Sequence, residues 1–166
     1  MQLASAVLTY RTIDPDRDGE LAAAHHREAC LTSFGRRARP QPAANYVRWL
    51  RAKVEEFPEG YLLAYLDDRC VGQMELEAPY GKEAGYVNLF YVTPPFRGLG
   101  FGRLLHERAV QYFRSWEARR VELHVSPSNI AALRFYRRMG YHRSFAADDG
   151  ALWTMLLSLP DRMGAG

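Results

Sequence analysis

A glycine-rich segment between two regular stretches constrains this chain more than any other feature. The segment reads VTPPFRGLGFGR and covers residues 92–103. The apolar stretch before it, Tyr86 to Val92, is typical of a buried strand, and the stretch from about Gly100 to Ser115 has the spacing of an amphipathic helix. The sequence therefore predicts a strand, a tight turn and the N-terminus of a helix.

Such a turn favours an anionic ligand. The first amides of a helix have no intrahelical partner, and the helix dipole attracts negative charge. The glycines at 98, 100 and 102 let the backbone bend sharply and let a phosphate approach closely. We therefore expect a cofactor that carries phosphate.

The spacing disfavours two common phosphate sites. A P-loop has Lys and then Ser or Thr after its last glycine, whereas Arg103 and Leu104 follow here. A dinucleotide fingerprint reads G-x-G-x-x-G and opens its domain, whereas this turn reads G-x-G-x-G and lies about ninety residues into the chain. Glu122 lies at about the right distance for a ribose-binding acid, but near the start of the next strand-like run rather than at its end.

Two motifs, in the right order, resemble the GNAT superfamily of N-acetyltransferases. The pattern R-x-x-G-x-G at 97–102 resembles the family signature that binds the pyrophosphate of acetyl-CoA. After a strand-like run at 121–125, N-x-x-A-x-x-F-Y-x-x-x-G-Y at 129–141 is similar to a helix of the same family. The resemblance covers about residues 61–157 and extends to the first sixty residues only in layout.

Turn residues and periodicity predict an order of strand, two helices, three strands, helix, strand, helix and two strands. We predict strands at 7–13, 61–66, 70–77, 86–92, 121–125, 141–147 and 151–159, and helices at about 20–32, 43–56, 100–115 and 129–139. The last two strands are expected to form a hairpin around residues 148–150. This order predicts an α/β fold with a mixed sheet of about seven strands and helices on both faces. The GNAT fold has the same order.

Length and composition favour a single globular domain. The 166 residues predict a single domain at 1–159 and a disordered tail at 160–166. A net charge of +3 suits an anionic cofactor and does not indicate nucleic acid. Cys30 and Cys70 form no C-x-x-C pair, so they predict neither a disulfide framework nor a metal site and favour the cytoplasm. Neither a membrane helix nor a signal peptide is predicted.

The resemblance implies a set of residues that contact the cofactor. The backbone N–H of Val92, at a strand bulge just before the turn, is expected to hold the thioester carbonyl, with Tyr91 beside it. Asn129 is expected to contact the pantetheine arm, although an N-cap at a helix start needs no ligand. The pyrophosphate contacts are expected from Arg97, Gly98, Leu99, Gly100, Phe101, Gly102 and Arg103, through the amides of Leu99, Phe101 and Arg103 and the charges of the two arginines.

Transfer of an acetyl group to an amine requires a general base and a general acid. Tyr136 matches the family tyrosine that protonates the leaving thiolate, since a phenol has a pKa near 10 and a thiol near 8.5. His124 shares a strand face with Glu122 and Ser126 and could accept a proton through water, or else be a hydrogen-bonded histidine in a packed interior.

The identity of the general base remains open, because other residues could also take this role. Glu75 and Glu77 are rival bases on another strand. Asn88 stands where many family members carry glutamate, and it could only orient a water or the amine. The remaining histidines, at 25, 26, 106 and 142, are predicted at the surface. The aromatic residues Phe34, Tyr46 and Trp49 flank a basic loop and are predicted to pack in the core rather than to stack on an acceptor.

The sequence thus predicts an N-acetyltransferase in which an amine attacks acetyl-CoA directly in a ternary complex. The acceptor is a small-molecule or peptide amine, no metal is implied, and a homodimer is an option that the family offers. The alternative is a non-catalytic or regulatory module of the same fold that binds acyl-CoA, for which Asn88 is the main support. A nucleotide-binding oxidoreductase is a more distant alternative.

Overall fold

The computed structural model describes residues 7–78, 83–145 and 151–160. In these ranges the strands are β1 (Thr9–Thr12), β2 (Tyr61–Leu66), β3 (Arg69–Glu77), β4 (Ala84–Val92), β5 (Arg120–Val125), β6 (His142–Arg143) and β7 (Trp153–Ser158). The α-helices are α1 (Pro15–Phe34), α2 (Ala43–Glu56), α3 (Phe101–Ser115) and α4 (Ile130–Arg138). The predicted order of elements is confirmed.

Two elements differ most from the prediction. Helix α1 begins at Pro15 because the Asp14 side chain caps it, accepting a hydrogen bond from the Asp16 N–H at 2.9 Å, and proline is well suited to a first helical position. Strand β6 has only two residues, against the predicted 141–147. The predicted turn at 148–150 and the predicted tail after residue 160 lie outside the described residues.

The strands form one sheet in the order β1-β2-β3-β4-β5-β7-β6. Only β4 and β5 pair in parallel, and every other described pair is antiparallel. On one face, Tyr46 of α2 hydrogen-bonds to Glu75 of β3. On the other, the Phe113 ring of α3 lies against Gly85 of β4. The predicted mixed sheet with helices on both faces is therefore confirmed.

The parallel pairing between β4 and β5 is short. It runs from Ala84–Arg120 to Val87–Leu123, whereas β4 continues to Val92 and β5 to Val125. The carboxyl ends of the two strands therefore separate. A gap of this kind at the carboxyl ends of parallel strands is where ligands bind in many α/β sheets.

A bulge lies in β4, but not where it was predicted. Along the β3–β4 ladder, Leu76 pairs with Val87 and Glu75 pairs with Leu89, so Asn88 is the extra residue. Val92 pairs regularly with Gly72. The bulge predicted just before the glycine turn is wrong: the irregularity is four residues earlier, and separation of β4 from β5 opens the end of the strand instead.

Gly85 tests the contact between α3 and the sheet. A Cβ atom at residue 85 would lie 2.2 Å from Cδ1 of the fully buried Phe113 ring. We expect Gly85→Ala to lower the free energy of unfolding by about 1–3 kcal/mol, the usual cost of overpacking, as measured by urea denaturation. Adding Phe113→Leu should recover part of this loss. An alanine variant as stable as the wild type would contradict the packing described.

Candidate active site

Two adjoining cavities meet at the gap between β4 and β5. The first, here called the strand cavity, has a volume of about 460 Å³ and is bordered by α1 and by the polar face of β4 and β5. The second, the turn cavity, has a volume of about 560 Å³ and lies between the glycine turn and α4. The residues that line both are Phe90, Val92, Arg97, Ala131, Ala132 and Tyr136. One groove therefore connects the turn with the open strand ends.

The glycine turn has the conformation that the sequence predicts. Gly98 and Gly100 have φ angles of +72° and +87°, which residues with a side chain rarely adopt. Gly100 is the N-cap of α3 and offers no side-chain cap, so the amides of Phe101 and Gly102 are available to a ligand. The Arg103 N–H, which was also expected to contact the pyrophosphate, donates to the Gly100 carbonyl at 3.1 Å.

The end of β4 also presents backbone groups to the gap. The Thr93 N–H donates to the Val71 carbonyl at 2.8 Å, which places Val92 opposite Gly72 in a non-hydrogen-bonded pair. In such a pair both the N–H and the C=O point away from the partner strand. Val92 therefore directs its N–H towards the gap, where pairing with β5 has ended.

Arg97 is held by groups outside the turn. Its Nε donates to the Val92 carbonyl at 2.8 Å, and its Nη2 donates to Glu28 of α1 at 2.7 Å. The other Glu28 oxygen accepts the hydroxyl of Tyr91, over whose ring the guanidinium lies. Hydrogen bonds from Tyr91 and Arg97 lower the pKa of Glu28. Glu28 could not be inferred from the sequence, because it lies 69 positions before Arg97 and carries no local motif.

Tyr136 lies where the two cavities join. Its ring packs near Phe90 and Tyr141, with centroids 6.4 and 5.4 Å away. Burial raises the pKa of Tyr136 above its ordinary value of 10. The phenol consequently stays protonated at neutral pH, which is the form that a general acid needs.

Asn129 caps the N-terminus of α4 and also lines the strand cavity. Its Oδ1 accepts a hydrogen bond from the Ala132 N–H at 3.2 Å, and its Nδ2 donates to the Ser33 hydroxyl at 3.1 Å. The side chain therefore joins the start of α4 to the end of α1. A ligand contact at this position is compatible with the capping role.

His124 lies at the strand cavity and not in a packed interior, so that alternative is wrong. Its Nδ1 is 3.3 Å from the Tyr86 hydroxyl, and its Nε2 is 3.6 Å from Glu122. The imidazole is thus placed between a phenol and a carboxylate. Tyr86, which the sequence did not single out, shares this polar face because the bulge at Asn88 changes the side-chain alternation along β4.

Asn88 lines the same cavity and is fixed from behind. Its Nδ2 donates to the Tyr61 hydroxyl at 3.2 Å and to Glu77 at 3.3 Å. Glu77 in turn forms an ion pair with Lys53 at 2.9 Å. Its charge is therefore compensated, which weakens it as a rival base.

Glu75 is sealed beneath α1 and α2, and it does not line either cavity. It accepts hydrogen bonds from Tyr46 at 2.5 Å and from Gln73 at 2.9 Å, and Gln73 also contacts Nδ1 of His25 at 3.0 Å. Burial raises the pKa of Glu75 to about 7. The position argues for a structural network rather than direct contact with a substrate.

Several side chains lie elsewhere than predicted. His25 is buried against Gln73 and Tyr91, and His106 is buried in a cluster of aromatic rings on the inner side of α3, so the surface prediction is wrong for both. His142 is exposed as predicted. Tyr46 is in the core, but Phe34 is exposed and lines the strand cavity.

Comparison with known proteins identifies what the chain is similar to. The model of the acetyltransferase (GNAT) family matches residues 22–141. An uncharacterized N-acetyltransferase of Archaeoglobus fulgidus is 28% identical over 118 residues, which are 68% of this chain and 78% of that protein. A mycothiol acetyltransferase of Thermomonospora curvata is 32% identical over 146 residues, covering 85% of this chain but only 46% of that protein.

The fold also matches solved structures. The PaiA N-acetyltransferase of Thermoplasma acidophilum, in complex with coenzyme A, superimposes with a TM-score of 0.67 and 18% identity, covering 92% of this chain and 99% of that chain. At this identity the likeness concerns the fold. In the part of the chain that the structure describes, no helix is long and apolar enough to cross a membrane.

The buried Glu75 network predicts a pH dependence of stability. Because folding raises the pKa of Glu75 from 4.5 to about 7, its stabilising contribution is present below pH 4.5 and is lost as the pH rises through 7. Between pH 5 and 7, the free energy of unfolding of the wild type should fall relative to that of Glu75→Gln, by up to about 1.4 kcal/mol per pH unit.

Urea denaturation at several pH values measures this difference. His25, whose pKa burial lowers, titrates in both proteins and cancels in the comparison. Glu107→Gln, at an exposed position of α3, should run parallel to the wild type. Equal pH dependence in the wild type and Glu75→Gln would contradict the network described.

Proposed function

This chain belongs to the GNAT family of acetyltransferases, and we propose that it transfers the acetyl group of acetyl-CoA to a primary amine that attacks directly in a ternary complex. One observation carries the proposal. The groove between the separated ends of β4 and β5 joins an anion-binding glycine turn to a polar strand face, with a protonated tyrosine at the junction.

The proposed cofactor site follows the groove. The amides of Leu99, Phe101 and Gly102 bind the pyrophosphate, which the positive end of the α3 dipole favours. Arg103, whose side chain is exposed and pairs with Glu107, adds positive charge nearby. The pantetheine arm then passes Asn129 at the start of α4. Tyr91 supports the adjacent Val92 rather than contacting the cofactor through polar groups, because its side chain faces α1 and its N–H and C=O face Gln73 of β3.

The proposed chemistry uses groups on both sides of the gap. The N–H of Val92 donates to the thioester carbonyl, where it stabilises the negative charge that develops as the amine attacks. The amine loses its proton to His124, directly or through one water, and Glu122 and Tyr86 hold the imidazole in place. Asn88 orients the incoming amine.

Departure of the thiolate completes the reaction. As the carbon–sulfur bond breaks, Tyr136 gives its proton to the sulfur. The proton accepted by His124 returns to the tyrosinate through solvent, so the net products are an amide and the free thiol of CoA. No covalent enzyme intermediate is needed.

We also propose a cytoplasmic protein whose residues 1–159 form one domain. Cys30 and Cys70 are both free and half-buried, which fits a reducing compartment.

A second candidate, an acyl-CoA-binding module without transfer activity, is favoured by one observation. The side chain at 88 is an amide that cannot take a proton, and it is already hydrogen-bonded to Tyr61 and Glu77. A panel of primary amines, assayed for release of free CoA with a thiol-reactive dye, separates the two. Release that depends on one amine supports transfer, and acetyl-CoA binding without release for any amine supports the module.

Substitution of Tyr136 tests the proposed general acid in the same assay. Because general acids typically contribute 10² to 10⁴ in rate, we expect Tyr136→Phe to lower kcat for CoA release at least about a hundredfold, with the Kd for acetyl-CoA changed less than about twofold. Tyr141→Phe is the matched control, since its ring packs against Tyr136 outside both cavities. Equal kcat values for Tyr136→Phe and the wild type would contradict the role of Tyr136 as the general acid.

A further inference from the structure

The Arg97 guanidinium occupies a place that the resemblance did not lead us to expect. The family signature implies that its charge acts on the pyrophosphate. Its Nε instead donates to the carbonyl of Val92, the residue whose N–H faces the gap. Its Nη2 is paired with Glu28, so the positive charge is compensated within the protein.

These contacts fix the peptide group at the end of β4 from two sides. The N–H of the Val92–Thr93 peptide donates to Val71 of β3 at 2.8 Å, and its C=O accepts from Arg97 at 2.8 Å. On the gap side, Arg97 supplies the donor that β5 would have supplied had the parallel ladder continued. The carbonyl of Val92 is thus satisfied, and its N–H remains to bind a ligand.

Glu28 holds the guanidinium in this position. One carboxylate oxygen accepts from Arg97 and the other accepts from the Tyr91 hydroxyl, while the guanidinium lies 5.4 Å above the Tyr91 ring. Arginine is suited to this task because its planar fork can donate to two acceptors at once, whereas lysine is a single point charge. Helix α1 thereby restrains the end of β4.

We infer that Glu28 and Arg97 are positioning residues for the acetyl group, holding the Val92 N–H where it meets the thioester carbonyl, and not ligands of the pyrophosphate. The inference rests on the proposed function, because it presumes that acetyl-CoA occupies the groove. Two parts of the site then have different roles. The glycine turn determines the affinity for CoA, and the Glu28–Arg97 pair determines the recognition of the acyl carbonyl.

Two cofactor probes make this separation measurable. Acetyl-CoA and S-ethyl-CoA differ in that a methylene replaces the carbonyl, so the ratio of their Kd values reports the carbonyl contact. Titration calorimetry gives both values and that of free CoA without any acceptor amine. In the wild type we expect acetyl-CoA to bind about three- to tenfold more tightly than S-ethyl-CoA, the usual worth of one hydrogen bond.

Glu28→Gln and Arg97→Lys should bring this ratio close to one, while the Kd values for S-ethyl-CoA and free CoA change less than about twofold. Arg97→Lys is informative because it keeps the charge but lacks the planar fork whose separate nitrogens donate to Val92 and to Glu28. Glu107→Gln is the control, since it breaks the Arg103–Glu107 ion pair next to the same turn. It should leave the ratio at its wild-type value.

Other outcomes would contradict the inference. If the Kd values of all three ligands rise by the same factor in Glu28→Gln and Arg97→Lys, Arg97 binds the pyrophosphate and the inference is wrong. A ratio near one in the wild type also overturns it. Failure of the wild type to bind any of the three ligands would instead contradict the proposed function. Thermal unfolding without ligand confirms that each variant is folded.

Discussion

The separation of β4 from β5 after the Val87–Leu123 pair is the constraint on which the rest of the site depends. Where two neighbouring strands stop pairing, backbone donors and acceptors must find other partners or be left to a ligand. In this chain the two backbone groups of Val92 have different partners. Its C=O accepts a hydrogen bond from Arg97, and its N–H faces the groove. The chemistry proposed here needs a free amide at this point.

The two faces of the sheet contribute differently to this gap. On one face, α3 and α4 provide the glycine turn, the Asn129 cap and the tyrosine. On the other, α1 carries Glu28, and the buried His25–Gln73–Glu75–Tyr46 network joins α1 and α2 to β3. A buried network whose polar groups are all hydrogen-bonded holds α1 rigidly against the sheet. The placement of Arg97 therefore depends on packing far from the turn.

The sequence predicted the parts of the fold and the site that depend on local signals. Glycines with positive φ, the prolines after Val92 and the alternation along β5 each act within a few residues, so the turn, the order of elements and the polar face of His124 could be inferred. The position of the bulge could not, because it is a property of the register between β3 and β4. The Glu28–Arg97 contact joins residues 69 positions apart, and His25 reads as a surface residue until Gln73 is known to face it.

The central claim, that one groove binds acetyl-CoA along the glycine turn and the free end of β4, is tested most directly by a titration followed through backbone amide NMR signals. We predict that the largest shifts on adding acetyl-CoA fall on Val92 and on residues 98–102. Free CoA should reproduce the shifts of the turn but not that of Val92. Shifts concentrated elsewhere, for example in the basic segment 35–39, or no shifts at saturating acetyl-CoA, would contradict it.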